Sequence, residues 1–207
     1  MRTGGIVVVG ASAGGIEALR NLVAGLSPEF PLPVCVALHV SPHSRGLLGE
    51  ILDRSGPLRA NNARGFERLR PGRIYVAPPD RHLIVGPGVV RLTTGSRENG
   101  FRPAIDPLFR STAQVYGPEA IGVVLSGNLH DGTRGLGAIK DLGGVAIVHD
   151  PSDALFPSMP RNALQHVKVD HCVRLNDMAS LLNRLATTET EAAGAAGQQV
   201  DDGRTGN

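Results

Sequence analysis

Apolar positions along the chain follow two periods that alternate. Residues 5–10 read Gly-Ile-Val-Val-Val-Gly, a short unbroken run rich in β-branched side chains. Such a run predicts a strand buried on both faces, the mark of a parallel sheet. Over 14–26 the period changes: Ile16, Leu19, Leu22, Val23 and Leu26 recur at helical spacing, and Pro28, Pro31 and Pro33 close the unit. The pattern then repeats, with a strand over 34–40 and a helix over 44–54 that gathers Leu47, Leu48, Ile51 and Leu52 on one face. A strand–helix–strand–helix opening predicts right-handed crossovers and a doubly wound sheet.

The middle of the chain differs. Short strands are predicted over 73–77, 82–85 and 89–93, separated by Pro-Pro-Asp and Gly-Pro-Gly, and the last two form an antiparallel hairpin. A helix follows over 106–116, opened by Asp106 and Pro107. Alternation resumes with strands over 120–125, 145–148 and 171–175 and helices over 133–142, 159–165 and 177–185. From Thr187 the periodicity is lost, which predicts one folded domain over 1–186 and a disordered tail over 187–207. The expected fold class is α/β: a doubly wound, mostly parallel sheet with helices on both faces and an antiparallel β-hairpin.

Composition narrows the function classes. At 41% hydrophobic and 19% charged, the 207-residue chain is not wholly disordered. The net charge of +2 hides an asymmetry, because residues 187–207 hold four acids and one base and leave 20 bases against 15 acids in the body. All those bases but Lys140 and Lys168 are arginines, which suits acidic or carboxyl-rich partners. With no basic run and only 3% aromatics, nucleic acid is not an expected partner. Two cysteines, Cys35 and Cys172, make no disulfide framework and point to free thiols. No apolar run reaches the ~18 residues of a membrane span, and no secretory signal is present, so the expectation is a cytoplasmic protein without membrane insertion.

The strongest chemical signal is residues 10–15, Gly-Ala-Ser-Ala-Gly-Gly, at a strand-to-helix turn. It fits Gly-x-Ser-x-Gly, in which small neighbours let a sharp turn expose a serine hydroxyl beside the free N–H groups of a helix start. Two other readings stand beside it. Ser12 is also a good helix cap. A nucleotide-binding turn is the other, though Ser12 stands where that motif needs its second glycine. A nucleophilic serine needs a base. His39 closes the second strand and opens on the same sheet edge as Ser12. Residues 126–132, Ser-Gly-Asn-Leu-His-Asp-Gly, follow another apolar strand and offer Asp131 to orient the imidazole, or to cap a helix. The order Ser…His…Asp is not that of α/β-hydrolases, so the same chemistry is expected on a different fold. His39, His43, His130 and Asp131 are metal-ligand types without a metal-ligand spacing, and neither metal nor cofactor is expected. His82, His149, His166 and His171 read as ordinary surface or strand-end residues.

Several further motifs come in register with these: Tyr-Val-Ala-Pro-Pro-Asp-Arg-His-Leu over 75–83, Glu98, Asn99 and Gly100 with Arg102 and Pro103, Asp-Pro-Leu-Phe-Arg-Ser over 106–111, and Ala-Leu-Phe-Pro-Ser-Met-Pro over 154–160. Together they resemble the catalytic domain of the CheB-type protein-glutamate methylesterases, the chemotaxis receptor methylesterases, across residues 5–185. The resemblance implies a catalytic triad of Ser12, His39 and Asp131. It implies a serine hydrolase that removes methyl esters from glutamate side chains of methyl-accepting chemotaxis receptors and releases methanol. Many members also deamidate receptor glutamines. The implied partners are the cytoplasmic helices of methylated receptors.

Two departures bear on the site: Ala13 stands where members often have Thr, and Asn128 and Leu129 stand where Met is common. Backbone N–H groups of Ala13, Gly14 and Asn128 are the expected oxyanion donors, since a backbone donor does not depend on its side chain. Arg102 and Arg134 are the candidates for meeting acidic side chains of the substrate. The family's regulatory form carries a receiver domain ahead of the catalytic one. Here the first strand follows Met1 closely, and the expectation is a domain without a receiver, open or controlled in trans. The alternative function is a catalytically silent module that binds receptors or a signalling array.

Overall fold

The computed structural model describes residues 4–198, with side chains through residue 187. Its main sheet has seven parallel strands. At its centre lies β1 (Ile6–Ala11), buried at every position as its unbroken apolar run requires. After α1 (Gly15–Ala24) the chain builds one half outward through β2 (Val34–Leu38), α2 (Leu48–Asp53), β3 (Arg59–Asn62) and β5 (Arg73–Val76). The other half is β8 (Ala120–Val124), α4 (Thr133–Asp141), β9 (Val145–His149), α5 (Ser158–His166) and β10 (His171–Val173), closed by α6 (Leu175–Gln198). The spatial order is β10-β9-β8-β1-β2-β5-β3. Strand β4 (Phe66–Arg68), which precedes β5, joins β6 (His82–Gly86) and β7 (Val89–Thr93) in a separate antiparallel sheet in the order β4-β7-β6, and α3 (Ile105–Tyr116) leads back to β8.

The period-2 alternation of β1 divides the core. Val7 and Val9 face one apolar layer with Leu19 and Leu22 of α1, Leu52 of α2, and Met178 and Leu182 of α6. Ile6 and Val8 face the other with Leu108 and Phe109 of α3, Leu136 of α4, Met159 of α5, and Leu83 and Val90 of the small sheet. This is the doubly wound α/β fold with helices on both faces that the sequence predicts, and the hairpin over 82–93 is β6–β7. The cysteines are free, Cys35 buried in β2 and Cys172 exposed on β10, and burial pushes the Cys35 thiol far up.

Some boundaries are corrected. β3 and β4 are absent from the sequence expectation: β3 is Arg-Ala-Asn-Asn, a polar edge strand with no apolar alternation, and β4 has only three residues. α2 is shorter than the expected 44–54, because the chain turns at Gly46 with φ of 68°. α6 runs to Gln198 rather than ending at 185. Its last stretch lacks an apolar stripe but is rich in Ala, Glu and Gln, whose helix propensity is high. Of the stretch assigned to a tail, residues 199–207 lie outside the described residues.

Candidate active site

The chain winds from β1 toward β2 on one side and toward β8 on the other, so β1 is the switch point of the sheet. Ligands of open α/β sheets bind outside the carboxyl ends of the strands at such a point. Ser12 follows β1, His39 follows β2 and Asp131 lies between β8 and α4, so three neighbouring strands carry them to one edge.

Local backbone geometry fixes Ser12. Its N–H donates to the Ser126 carbonyl at 3.0 Å, and its own carbonyl accepts from Gly15 N–H at 2.9 Å. The turn passes through Gly14, which sits in the left-handed region at φ 70° and is the N-cap of α1; Ser12 does not cap that helix. Gly127 lets the neighbouring loop approach, since a Cβ there would lie 2.8 Å from Ser12 Cβ.

His39 is held beside Ser12 by its N–H on the Ala11 carbonyl at 3.2 Å. Its Nδ1 lies 3.1 Å from Ser12 Oγ and its Nε2 lies 2.6 Å from Asp131 Oδ2. The imidazole and the carboxylate are 4% and 0% exposed. An ionised carboxylate only accepts, so Nε2 carries the proton and the Nδ1 lone pair faces the serine hydroxyl. The Phe101 ring lies flat on the other side of the imidazole, with centroids 3.6 Å apart.

Asp131 accepts from more than His39. Its Oδ2 takes the Ile105 N–H at 2.7 Å, and its Oδ1 takes the Asn99 amide at 2.7 Å, the Gly132 N–H at 2.9 Å and the Asp106 N–H at 3.1 Å. The carboxylate therefore sits on the N-terminus of α3, where free N–H groups and the helix dipole favour negative charge. Burial alone would raise its pKa; the hydrogen bonds from His39 and Ile105 outweigh burial and hold it below the ordinary carboxylate range.

Phe101 and Asn99 come from one tight turn. Glu98 and Phe101 pair across it, with Asn99 and Gly100 both in the left-handed region at φ 53° and 85°. This is the conformation of a type I′ turn, for which Asn-Gly is the favoured pair. Glu98 is tied to Arg110 of α3 at 2.7 and 2.9 Å, and Arg102 grips Asp80 at 2.7 and 2.9 Å. Glu98, Asn99 and Gly100 carry no expected role in the sequence and Phe101 is not among its candidate residues; the Asn-Gly pair signals the tight turn but not what the turn touches. His82 and His149, expected as ordinary surface or strand-end residues, are buried, and His82 bonds the Ser96 carbonyl and the Ala104 N–H.

The candidate oxyanion donors come from two segments, Ala13 and Gly14 from the turn after β1 and Asn128 from the loop after β8. Among the described residues, no acceptor meets the N–H of Ala13, Gly14 or Asn128. The buried Ser126 hydroxyl donates to the Ala13 carbonyl at 2.9 Å and accepts from Phe156 N–H at 3.0 Å. In a planar trans peptide the C=O and N–H point in opposite directions. Fixing the Ala13 carbonyl on Ser126 thus turns the Gly14 N–H the other way.

The cleft holds about 460 Å³ and is lined by Ser12, Ala13, His39, Arg97, Phe101 and Arg102, among others. Arg102 Nη1 also bonds the Thr94 and Gly95 carbonyls, so its donors are engaged inside the chain. Arg134 is exposed on the first turn of α4. Leu129, Leu155 and Phe156 are large apolar side chains left exposed, at 56%, 73% and 36%. Among the described residues, no group of three His, Cys, Asp or Glu side chains stands where it could hold a metal ion.

The chain is similar to known proteins over most of its length. The family model for CheB methylesterase matches residues 7–182. A Leptospira interrogans protein named putative protein-glutamate methylesterase/protein-glutamine glutaminase is 36% identical over 186 residues, which span 89% of this chain and 96% of that protein. An Anaeromyxobacter dehalogenans protein named protein-glutamate methylesterase/protein-glutamine glutaminase 2 is 37% identical over 180 residues, but these are only 53% of its length. The crystal structure of the Thermotoga maritima CheB methylesterase catalytic domain superposes with a TM-score of 0.84 at 31% identity, covering 88% of this chain and 99% of that one. The chain belongs to the CheB methylesterase family. Among the described residues no helix is long and apolar enough to cross a membrane.

Proposed function

We propose that the chain is a serine hydrolase that removes methyl esters from glutamate side chains of methyl-accepting chemotaxis receptors, with Ser12, His39 and Asp131 as its catalytic residues. The observation that carries this reading is the continuous relay from Ser12 Oγ through His39 to Asp131, at 3.1 and 2.6 Å. Ser12 Oγ attacks the ester carbonyl carbon as its proton passes to His39 Nδ1. Asp131 holds the imidazole in the tautomer that leaves Nδ1 free and stabilises the imidazolium. The N–H groups of Ala13, Gly14 and Asn128 stabilise the oxyanion. Collapse breaks the bond to the methoxy oxygen, which takes the proton from His39 and leaves as methanol. Water, deprotonated by His39, then attacks the acyl-enzyme and frees the glutamate carboxylate. A glutamine follows the same path with ammonia as the leaving group.

A methyl ester offers little to grip, so recognition falls to the helix that carries it. The exposed Leu129, Leu155 and Phe156 suit the apolar side of a receptor cytoplasmic helix, and Arg97 and Arg134 suit its acidic side. A cytoplasmic location goes with such a substrate.

The test is methanol release from methylated receptor membranes, wild type beside Ser12→Ala. Release that collapses by about 10⁴–10⁶-fold in the variant supports serine esterase chemistry. Equal release by both removes Ser12 as the nucleophile. A folded wild type that releases nothing supports the silent binding module.

A further inference from the structure

Behind the relay lies a second carboxyl group that the reaction as written does not use. We propose that Asp106 and Asn99 are positioning residues: together they fix the Asp131 carboxylate, and they act on the reaction only through it. This rests on the esterase reading for its kinetic consequence but not for its geometry.

Three observations meet here. The Asn99 amide nitrogen lies 2.7 Å from Asp131 Oδ1 and 3.0 Å from Asp106 Oδ2, so its two N–H groups serve one carboxylate each. The two helix starts exchange carboxylates. The first N–H groups of α3, from Ile105 and Asp106, hold Asp131 at 2.7 and 3.1 Å, while Asp106 Oδ1 accepts from Gly132 at 3.1 Å and Gly135 at 2.7 Å at the start of α4. Neither helix has a side-chain cap of its own. Finally, the helices approach closely enough for this only because Gly135 lacks a side chain: a Cβ there would lie 2.5 Å from Phe109 Cβ.

Two buried carboxylates side by side repel, and an apolar staple between α3 and α4 would avoid that cost. Burial, with the Asp131 charge adding to it, pushes the Asp106 carboxyl above the ordinary range. The arrangement is understandable if its product is the orientation of Asp131. Asp106 is 2% exposed, and no hydrogen bond links it to Ser12 or His39. Asn99 reaches Asp131 from a turn that requires positive φ, so Asn99→Gly deletes the amide and keeps the turn.

The experiment compares Asn99→Gly, Asn99→Asp and Asp106→Asn, each in the wild-type and Asp131→Asn backgrounds. Methanol release from methylated receptor membranes gives kcat and KM, and melting temperature is followed in parallel. Asn99→Gly is expected to lower kcat about 10–100-fold with KM within about twofold, as for a displaced orienting group. Asp106→Asn follows the same pattern. In the Asp131→Asn background either change costs less than about threefold, because residues that act as a unit are not additive. Asn99→Asp costs more than Asn99→Gly at pH 8, and the gap narrows toward pH 5 as the new carboxyl is protonated and its repulsion ends. Equal losses in both backgrounds, or unchanged kcat, would reduce the pair to a structural staple.

A readout that needs no turnover separates the two hypotheses. The His39 Nε2 proton held on Asp131 gives a downfield imidazole N–H resonance that Asp131→Asn removes. It should shift or broaden in Asn99→Gly and Asp106→Asn. If it stays unchanged in both, the positioning role is wrong whatever the enzyme hydrolyses. If wild type releases no methanol while the resonance responds, the esterase reading fails and the positioning stands.

Discussion

The ring of Phe101 lies parallel to the imidazole of His39, 4° from coplanar orientation and 3.6 Å away between centroids. The stack confines the imidazole to the plane in which Nδ1 meets Ser12 and Nε2 meets Asp131. An aromatic pair contributes about 0.5–1.5 kcal/mol beyond its buried area. Phe101→Ala should therefore lower kcat about tenfold, with a smaller loss for Phe101→Tyr, which keeps the ring. Steady-state methanol release measures both. Equal activity of wild type and Phe101→Ala would show that the two hydrogen bonds alone orient His39.

Asp131 is surrounded by donors. Its Oδ1 meets three N–H groups, from Asn99, Asp106 and Gly132, and its Oδ2 meets Ile105 N–H and His39. In Asp131→Asn the new amide nitrogen is least obstructed on the Oδ2 side, where it faces His39. There it would favour a lone pair on Nε2 and a proton on Nδ1, the nitrogen that takes the Ser12 proton in the proposed reaction. The expected loss in kcat is about 10⁴-fold, as for a triad held in the wrong tautomer. A loss under tenfold would mean that His39 keeps its tautomer without Asp131.

The relay was legible in the sequence because each member follows a strand of unmistakable apolar composition. Ser12 and His39 lie at the ends of the runs at 5–10 and 34–40, Asp131 lies in the loop that follows the run at 120–125, and a doubly wound sheet puts neighbouring strand ends together. Their supports were not legible. Phe101 and Asn99 act from a loop whose path depends on Glu98–Arg110 and Arg102–Asp80 contacts, and no periodicity encodes such contacts. Asp106 reads in sequence as an ordinary helix-start acid; only the packing of α3 on α4 turns its carboxylate toward another helix. β3 escaped because an edge strand need not alternate, and Arg59, Asn61 and Asn62 do not.

Acid stability should divide the carboxylates by the sign of their shifts. Burial tends to raise the Asp170 pKa, but the Ala146 N–H and the Lys140 ammonium, at 2.8 and 2.6 Å, outweigh it and hold the group below the ordinary range. Its stabilisation is complete above the unfolded value near 3.8 and is lost as pH falls through the folded value. Asp106 has the opposite sign: its folded pKa is raised, so its contribution weakens as pH rises from 3.8 through the folded value. Urea unfolding from pH 3 to 7 should show Asp170→Asn less stable than wild type at pH 7, with the difference shrinking toward pH 3. Asp106→Asn should show a difference that does not shrink in that way. Parallel pH curves for Asp170→Asn and wild type would remove the ionic account of the Lys140–Asp170 pair.

Ser126 and Gly127 shape the Ser12 turn from the loop that follows β8. Ser126→Ala leaves the Ala13 carbonyl and the Phe156 N–H without their shared hydroxyl. The stability cost should be about 0.5–1.5 kcal/mol, the usual net contribution of a hydrogen bond between groups that water can still reach. The Ala13–Gly14 peptide then loses the hydroxyl that holds its carbonyl, and with it one constraint on the direction of the Gly14 N–H. Removing one oxyanion donor costs about 10²–10³ in kcat, and partial loss of its orientation should fall below that. Gly127→Ala acts differently, by steric displacement: its new Cβ would lie 2.2 Å from Met159 Sδ and 2.8 Å from Ser12 Cβ. It should lower both the melting temperature and kcat, whereas Ser126→Thr, which keeps the hydroxyl, should recover much of the kcat lost in Ser126→Ala. If Ser126→Thr is no better than Ser126→Ala while folding as well, the hydroxyl does not set the peptide, and the proposed oxyanion donors are held by the turn alone.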